Sequence, residues 1–142
     1  MSSLFGALTA SASALDAQRT RIEVAVSNMA NAESTRGADG QPYRRRDVVL
    51  SESSVDSFES VLGRASAVGV KVDDIVEDQT PFRRRFEPAH PDADADGFIS
   101  MPNVDVPEEM INMLGAARAY QANLAAIGLI NDTAKRALEL GK

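Results

Sequence analysis

Asp92, Asp94 and Asp96 stand two residues apart and are followed by Gly97 and Ser100, which matches positions 1, 3, 5, 6 and 9 of a calcium-binding loop. Their carboxylates could converge on a hard cation. Position 12 of such a loop carries a bidentate glutamate, however, and here it is Asn103, preceded by Pro102. No helical pattern leads into Asp92, because Pro88 and Pro91 stand there. The stretch therefore reads as a solvated acidic turn ahead of a strand, and no metal is assigned.

Other chemistry is scarce. The chain has one histidine, His90, set between Ala89 and Pro91, and it has no cysteine and no glycine-flanked serine of the nucleophile-elbow type. No spacing selects a pair of carboxylates for acid–base work. No catalytic residue and no cofactor-binding residue is assigned, and the expectation is a protein that is not an enzyme and uses no cofactor. The triplets Arg44, Arg45, Arg46 and Arg83, Arg84, Arg85 could face an acidic partner protein across a subunit contact. A net charge of −6 argues against nucleic acid, whose phosphates need a net basic face.

The elements that would carry these residues are set by periodicity. Leu8, Leu15, Ile22 and Met29 recur every seven residues, and Met110, Met113, Ala117, Tyr120, Leu124, Ile127, Asn131, Ala134 and Leu138 follow steps of three and four. All six prolines fall between Pro42 and Pro107, while sixteen of the twenty-two alanines lie outside residues 33–104. This segregation predicts two long terminal helices whose apolar seams need partners. Asp105 and Glu108 form a capping pair with Pro107 in the first turn of the second helix, and Gly141 is placed to close it. Gly115 and Gly128 suggest close helix approach. At the end of the first helix, Asn28 and Asn31 suit a left-handed C-cap. Polar Asn131 within the second seam could fix register.

Between the helices the pattern changes to period two. Strands are expected from Tyr43 to Leu50, from Val68 toward Val76, between Pro81 and Pro88, and at Phe98 to Met101. In the third of these, Phe82, Arg84 and Phe86 share one face. The five serines from Ser51 to Ser60, with acidic neighbours, read as a mobile insertion over 51–66 with a short helix near Val55 to Leu62. The fold class is therefore α+β: long N- and C-terminal helices pairing as a coiled coil, with a small β-rich middle module. The expected divisions are an N-terminal helix over 1–31, a middle module over 32–104 and a C-terminal helix over 105–142. With 142 residues, no tryptophan and 5% aromatic residues, the core is thin, so partners must supply burial. There is no signal-peptide pattern and no run of eighteen apolar residues, so neither cleavage on export nor membrane insertion is expected.

Several strings carry a resemblance across essentially the whole chain, in order. They are Ser27-Asn28-Met29-Ala30-Asn31-Ala32-Glu33-Ser34-Thr35-Arg36-Gly37, then Asp39-Gly40-Gln41-Pro42-Tyr43-Arg44-Arg45, Phe86-Glu87-Pro88, Met101-Pro102-Asn103-Val104-Asp105-Val106 and Ala119-Tyr120-Gln121-Ala122-Asn123. Together they resemble the rod and hook axial proteins of the bacterial flagellum, and among these the proximal rod proteins of the FlgC type. Asn28, Asn31 and Gly37 belong to the asparagine-rich signature. Ala89, Pro107 and the length of 51–66 depart from the pattern.

The resemblance implies a rod subunit exported through the flagellar type III apparatus without cleavage and assembled in the periplasm. It implies as partners further copies of the chain, other rod proteins, and the inner-membrane ring with its adaptor. The residues expected to carry assembly are Leu8, Leu15, Ile22, Met29, Met110, Met113, Tyr120, Leu124 and Ile127. Two other readings fit parts of the chain: a calcium-responsive soluble binding module, and an axial subunit of another export apparatus.

Overall fold

The computed structural model describes residues 2–37, 39–54 and 68–140. Helix α1 runs Ser2–Ala30 and helix α2 runs Val106–Leu140, about 44 and 52 Å at 1.5 Å per residue. Between them lie strands β1 (Arg46–Ser54), β2 (Val68–Glu77), β3 (Arg83–Phe86) and β4 (Phe98–Met101), paired as two two-stranded sheets, β1 with β2 and β3 with β4. The class is α+β, with terminal helices around a small β region.

Two compact units divide the chain. One contains Met1–Thr20, Val49–Asp74 and Gly115–Lys142; the other contains Arg21–Val48 and Ile75–Leu114. In the first, Ala17 and Ala116 are fully buried, and alanine is the size of side chain that lets helix backbones come close. Helix α1 meets β2 where the Val70 amide donates to Ser13 Oγ at 3.1 Å. Gly69 beside it has no room for a side chain, since an added Cβ would sit 2.8 Å from Ser13 Oγ.

In the second unit the apolar core is Ala25, Ile99, Met101 and Val104. Strands β3 and β4 pair antiparallel, with Arg83 opposite Met101 and Phe86 opposite Phe98. Only β4 alternates into the core; all four β3 residues are exposed. The shared face expected of Phe82, Arg84 and Phe86 is thus not a buried one. Phe86 instead packs edge-on against Phe98, with ring centroids 5.2 Å apart.

Other local expectations are also revised. β1 extends through Ser54, so the first residues of the expected insertion pair with β2, where Ser51 Oγ reaches Asp73 Oδ1 at 3.3 Å. The expected helix near 55–62, and Gly141, lie outside the described residues. α1 does not end in a left-handed asparagine, because no described non-glycine residue has positive φ. Its last turn closes with the Asn31 amide donating to the Ser27 and Asn28 carbonyls. Among the described residues none approaches Gly115 or Gly128, an added Cβ at either meeting nothing within 4 Å. The start of α2 is as expected: the Glu108 amide donates to Asp105 Oδ1 at 3.3 Å.

The face each helix turns inward is offset from the apolar stripe read in the sequence. Along α2 the line of lowest exposure passes through Glu109, Met113, Ala116, Tyr120, Asn123, Ile127 and Ile130. Along α1 it passes through Ala10, Ala14, Ala17, Arg21, Ala25 and Asn28. Steps of three and four residues join both sets. Larger apolar residues flank these lines.

Candidate functional site

Among the described residues the most heavily buried polar side chains lie where the end of α1 meets the start of α2, within one unit. Asn28 has no exposed surface and Glu109 is 2% exposed. The Asn28 amide nitrogen donates to Glu109 Oε2 at 3.0 Å and to the Arg46 carbonyl at 2.8 Å. Its amide oxygen accepts from the Tyr43 hydroxyl and from the Arg46 amide, both at 2.9 Å. All four bonds a carboxamide can make are present.

The other oxygen of Glu109 accepts from Arg45 Nε at 2.7 Å. Burial disfavours the charge on Arg45, but the hydrogen bond and negative charge of Glu109, with Asp47 and Glu108 nearby, outweigh it and hold the guanidinium above its ordinary pKa. The Arg45 backbone is fixed as well: its amide donates to Asn103 Oδ1 at 2.8 Å and its carbonyl accepts from the Asp78 amide at 2.8 Å. Asn103 Nδ2 in turn donates to Thr80 Oγ1 at 2.8 Å and to the Asp78 carbonyl at 3.1 Å. The result is a polar knot tying both helices to the segments around β1 and β2.

The remaining signature residues shape the loop after α1. Asn31 Nδ2 donates to the Ser27 carbonyl at 2.8 Å, and the Gly37 amide donates to the Gln41 carbonyl at 2.6 Å. The loop is held to the acidic turn by Thr35 Oγ1, which donates to Asp92 Oδ2 at 2.9 Å, and by Arg36, 3.3 Å from Asp92 Oδ1. Asp94 Oδ1 accepts from the amides of Asp96 and Phe98, and Arg84 lies 2.8 Å from its Oδ2. Two of the three carboxylates that suggested calcium, Asp92 and Asp94, are thus engaged in hydrogen bonds and arginine pairs. Among the described residues no three His, Cys, Asp or Glu side chains gather as a metal site. His90 Nδ1 accepts the Asp92 amide at 3.1 Å, a bond within the same turn.

The seam residues behave differently. Leu8, Leu15, Ile22, Met29, Met113, Tyr120 and Ile127 are half-buried, whereas Met110 and Leu124 are exposed, Leu124 by 54%. Phe5, Ile111, Leu114, Leu129 and Leu138 add further exposed apolar surface on the two helices. A single copy therefore presents large apolar residues to solvent along both helices. Sequence reasoning missed Glu109 and read Arg45 as one of a triplet facing an acidic partner protein, whereas Arg45 pairs with Glu109 of its own chain. Glu109 follows the capping Glu108 in the first turn of α2, where an acidic residue suits the helix dipole whether or not it is buried, so its burial left no signal in the sequence.

The two helices thus carry large apolar side chains that this copy leaves exposed, with no catalytic or metal cluster beside them among the described residues. Comparison with known proteins gives the family. Residues 95–140 match the family model described as the flagellar basal body rod FlgEFG protein C-terminal region. The chain is 44% identical over 130 residues to the flagellar basal-body rod protein FlgC of Escherichia coli O6:H1, covering 92% of each chain. It is 42% identical to FlgC of Bacillus subtilis, over 97% of this chain and 98% of that one, and 38% identical to FlgC of Aquifex aeolicus over the full length of both. The chain belongs to the FlgC family of flagellar basal-body rod proteins, and it is a structural subunit of the rod. Among the described residues no helix is long and apolar enough to cross a membrane.

Proposed function

We propose that the chain works by laying α1 and α2 against the corresponding helices of adjoining subunits, so that the rod carries torque from motor to hook. The observation that carries this reading is the exposed apolar surface of the helices, which includes Phe5, Ile111, Leu124 and Leu129, on a chain whose described core is small. Burying such surface contributes about 25 cal/mol per Å², which favours association once several copies align. Gly115 and Gly128, with open space beside them, suit the close approach of a neighbouring helix.

On this reading Leu8, Leu15, Ile22, Met29, Met110, Met113, Tyr120, Leu124 and Ile127 form the assembly surface. Residues 1–31 and 105–142 serve as the axial helices, and 32–104 faces outward. The partners are further copies of the chain, other rod proteins, the inner-membrane ring with its adaptor, and the export apparatus that delivers the chain uncleaved to the periplasm. No step of this work is catalytic. Deleting the gene tests the reading: cells should lose hooks, filaments and swimming, and regain them with the wild-type gene. Normal flagella in the deletion strain would contradict it.

A further inference from the structure

The lines that α1 and α2 bury are poor at specifying alignment. On α1 the line is mostly alanine, and on α2 the apolar residues Met113, Tyr120 and Ile127 recur at heptad spacing, so a shift by seven residues still sets apolar side chains against alanine. Something must break that repeat. One charged residue of the α2 line, Glu109, and one carboxamide of the α1 line, Asn28, meet at its end, and both are buried.

We propose that Asn28, Glu109 and Arg45 form a register lock, a polar device that permits one alignment of the end of α1 with the start of α2. In the observed alignment Asn28 makes all four of its hydrogen bonds and Glu109 has a donor on each oxygen. Shifted by one heptad, Asn28 would face Ala116 or a residue before the α2 helix, and Glu109 would lose its amide donor while still held against Arg45. Buried polar groups without partners are heavily penalised, so the shifted alignments are excluded. Buried ion pairs add little net stability over apolar groups of similar size, because desolvation offsets their attraction. The lock therefore acts on alignment more than on stability. It is a property of the single chain and does not rest on the rod reading.

Its test uses the full-length chain, whose lack of cysteines makes introduced ones unambiguous. Ala25→Cys is paired with Asn112→Cys, which lines the same cleft, or with Ala119→Cys one heptad further on. Each pair is treated with a short thiol cross-linker in the wild-type background and in Asn28→Leu/Arg45→Met/Glu109→Leu. The wild-type background should link position 25 to 112 and not to 119. The triple variant should keep its helical circular dichroism and gain the 25 to 119 link in amounts comparable to the first. If the triple variant links only 25 to 112, the apolar faces alone set the alignment and the lock is refuted. Loss of helical signal in the triple variant refutes it too, since the knot would then be required for the fold and would not merely select its alignment. Absence of the 25 to 112 link in the wild-type background refutes the alignment itself.

Discussion

Asn28 and Glu109, 81 positions apart in sequence, meet at 3.0 Å with both side chains buried. Asn28→Ala would take this partner from the Arg46 amide and carbonyl and from one oxygen of Glu109, and would leave the Tyr43 hydroxyl only Ser27 Oγ at 3.4 Å. The expected loss is on the order of 3 kcal/mol, because each buried group left without a partner costs about 1–3 kcal/mol. Chemical denaturation followed by circular dichroism measures it, and a loss within error of zero would mean that water or a rotamer change satisfies the same groups.

Asn28→Asp separates hydrogen bonding from charge. The substitution replaces the donor facing Glu109 Oε2 by a carboxylate oxygen at a site 3.0 Å away. Two carboxylates so close cannot both ionise cheaply, so one takes up a proton at a pH above its usual range. The variant should be less stable than Asn28→Ala at neutral pH and recover relative to it as pH falls toward 5. A thermal-midpoint series against pH reads this, and parallel profiles for the two variants would contradict it.

The acid limb of the wild-type stability curve has named contributors. The Thr80 backbone N–H, against the opposing effect of burial and helped by the Thr80 hydroxyl, Arg45 and Arg44, holds the Asp78 carboxyl below its ordinary value. Asp94 is held low first by the Phe98 backbone N–H. A depressed folded-state pKa gives stability that is present above the unfolded value, about 3.9, and is lost as pH falls through the folded value. Asp78→Asn with Asp94→Asn should therefore flatten the fall in thermal midpoint below about pH 4. An unchanged slope would assign acid sensitivity to other carboxylates.

Two glycines with similar backbone angles should respond differently to alanine. Gly40 and Gly97 have φ of 79° and 80°. An added Cβ at Gly40 meets nothing within 4 Å, whereas at Gly97 it would lie 2.9 Å from Phe86 Cε2 and 3.1 Å from Pro88 Cβ. Gly40→Ala should cost about 1 kcal/mol from backbone strain alone. Gly97→Ala should cost clearly more, since the Phe86–Phe98 contact must also shift. Equal losses in denaturant titrations would show that the turn relaxes freely.

The helices and most strands were legible because their signals are periodic and local. Proline placement bounded α1 and α2, and the Asp105 cap is where the sequence put it. The centre of each buried face was not legible. A heptad stripe of large residues such as Met110, Leu124 and Leu138 marks apolar surface without saying whether the same chain or a neighbour covers it. In this chain alanines and Glu109 take the inward positions, and the larger residues flank them. Asn28 was read as a helix terminator because asparagine suits local caps. Its partners are Arg46, Tyr43 and Glu109, and such long-range hydrogen bonds leave no periodic trace.

The central claim is that the exposed apolar residues of α2, Leu124 among them, carry rod assembly and are dispensable for the fold of the single chain. Leu124→Glu tests it most directly, because Leu124 is 54% exposed in one copy. The variant should be expressed with an unchanged thermal midpoint, yet fail to restore hooks or swimming when it replaces the wild-type gene, with electron microscopy showing no complete rods. Normal rods containing the Leu124→Glu chain would contradict the claim.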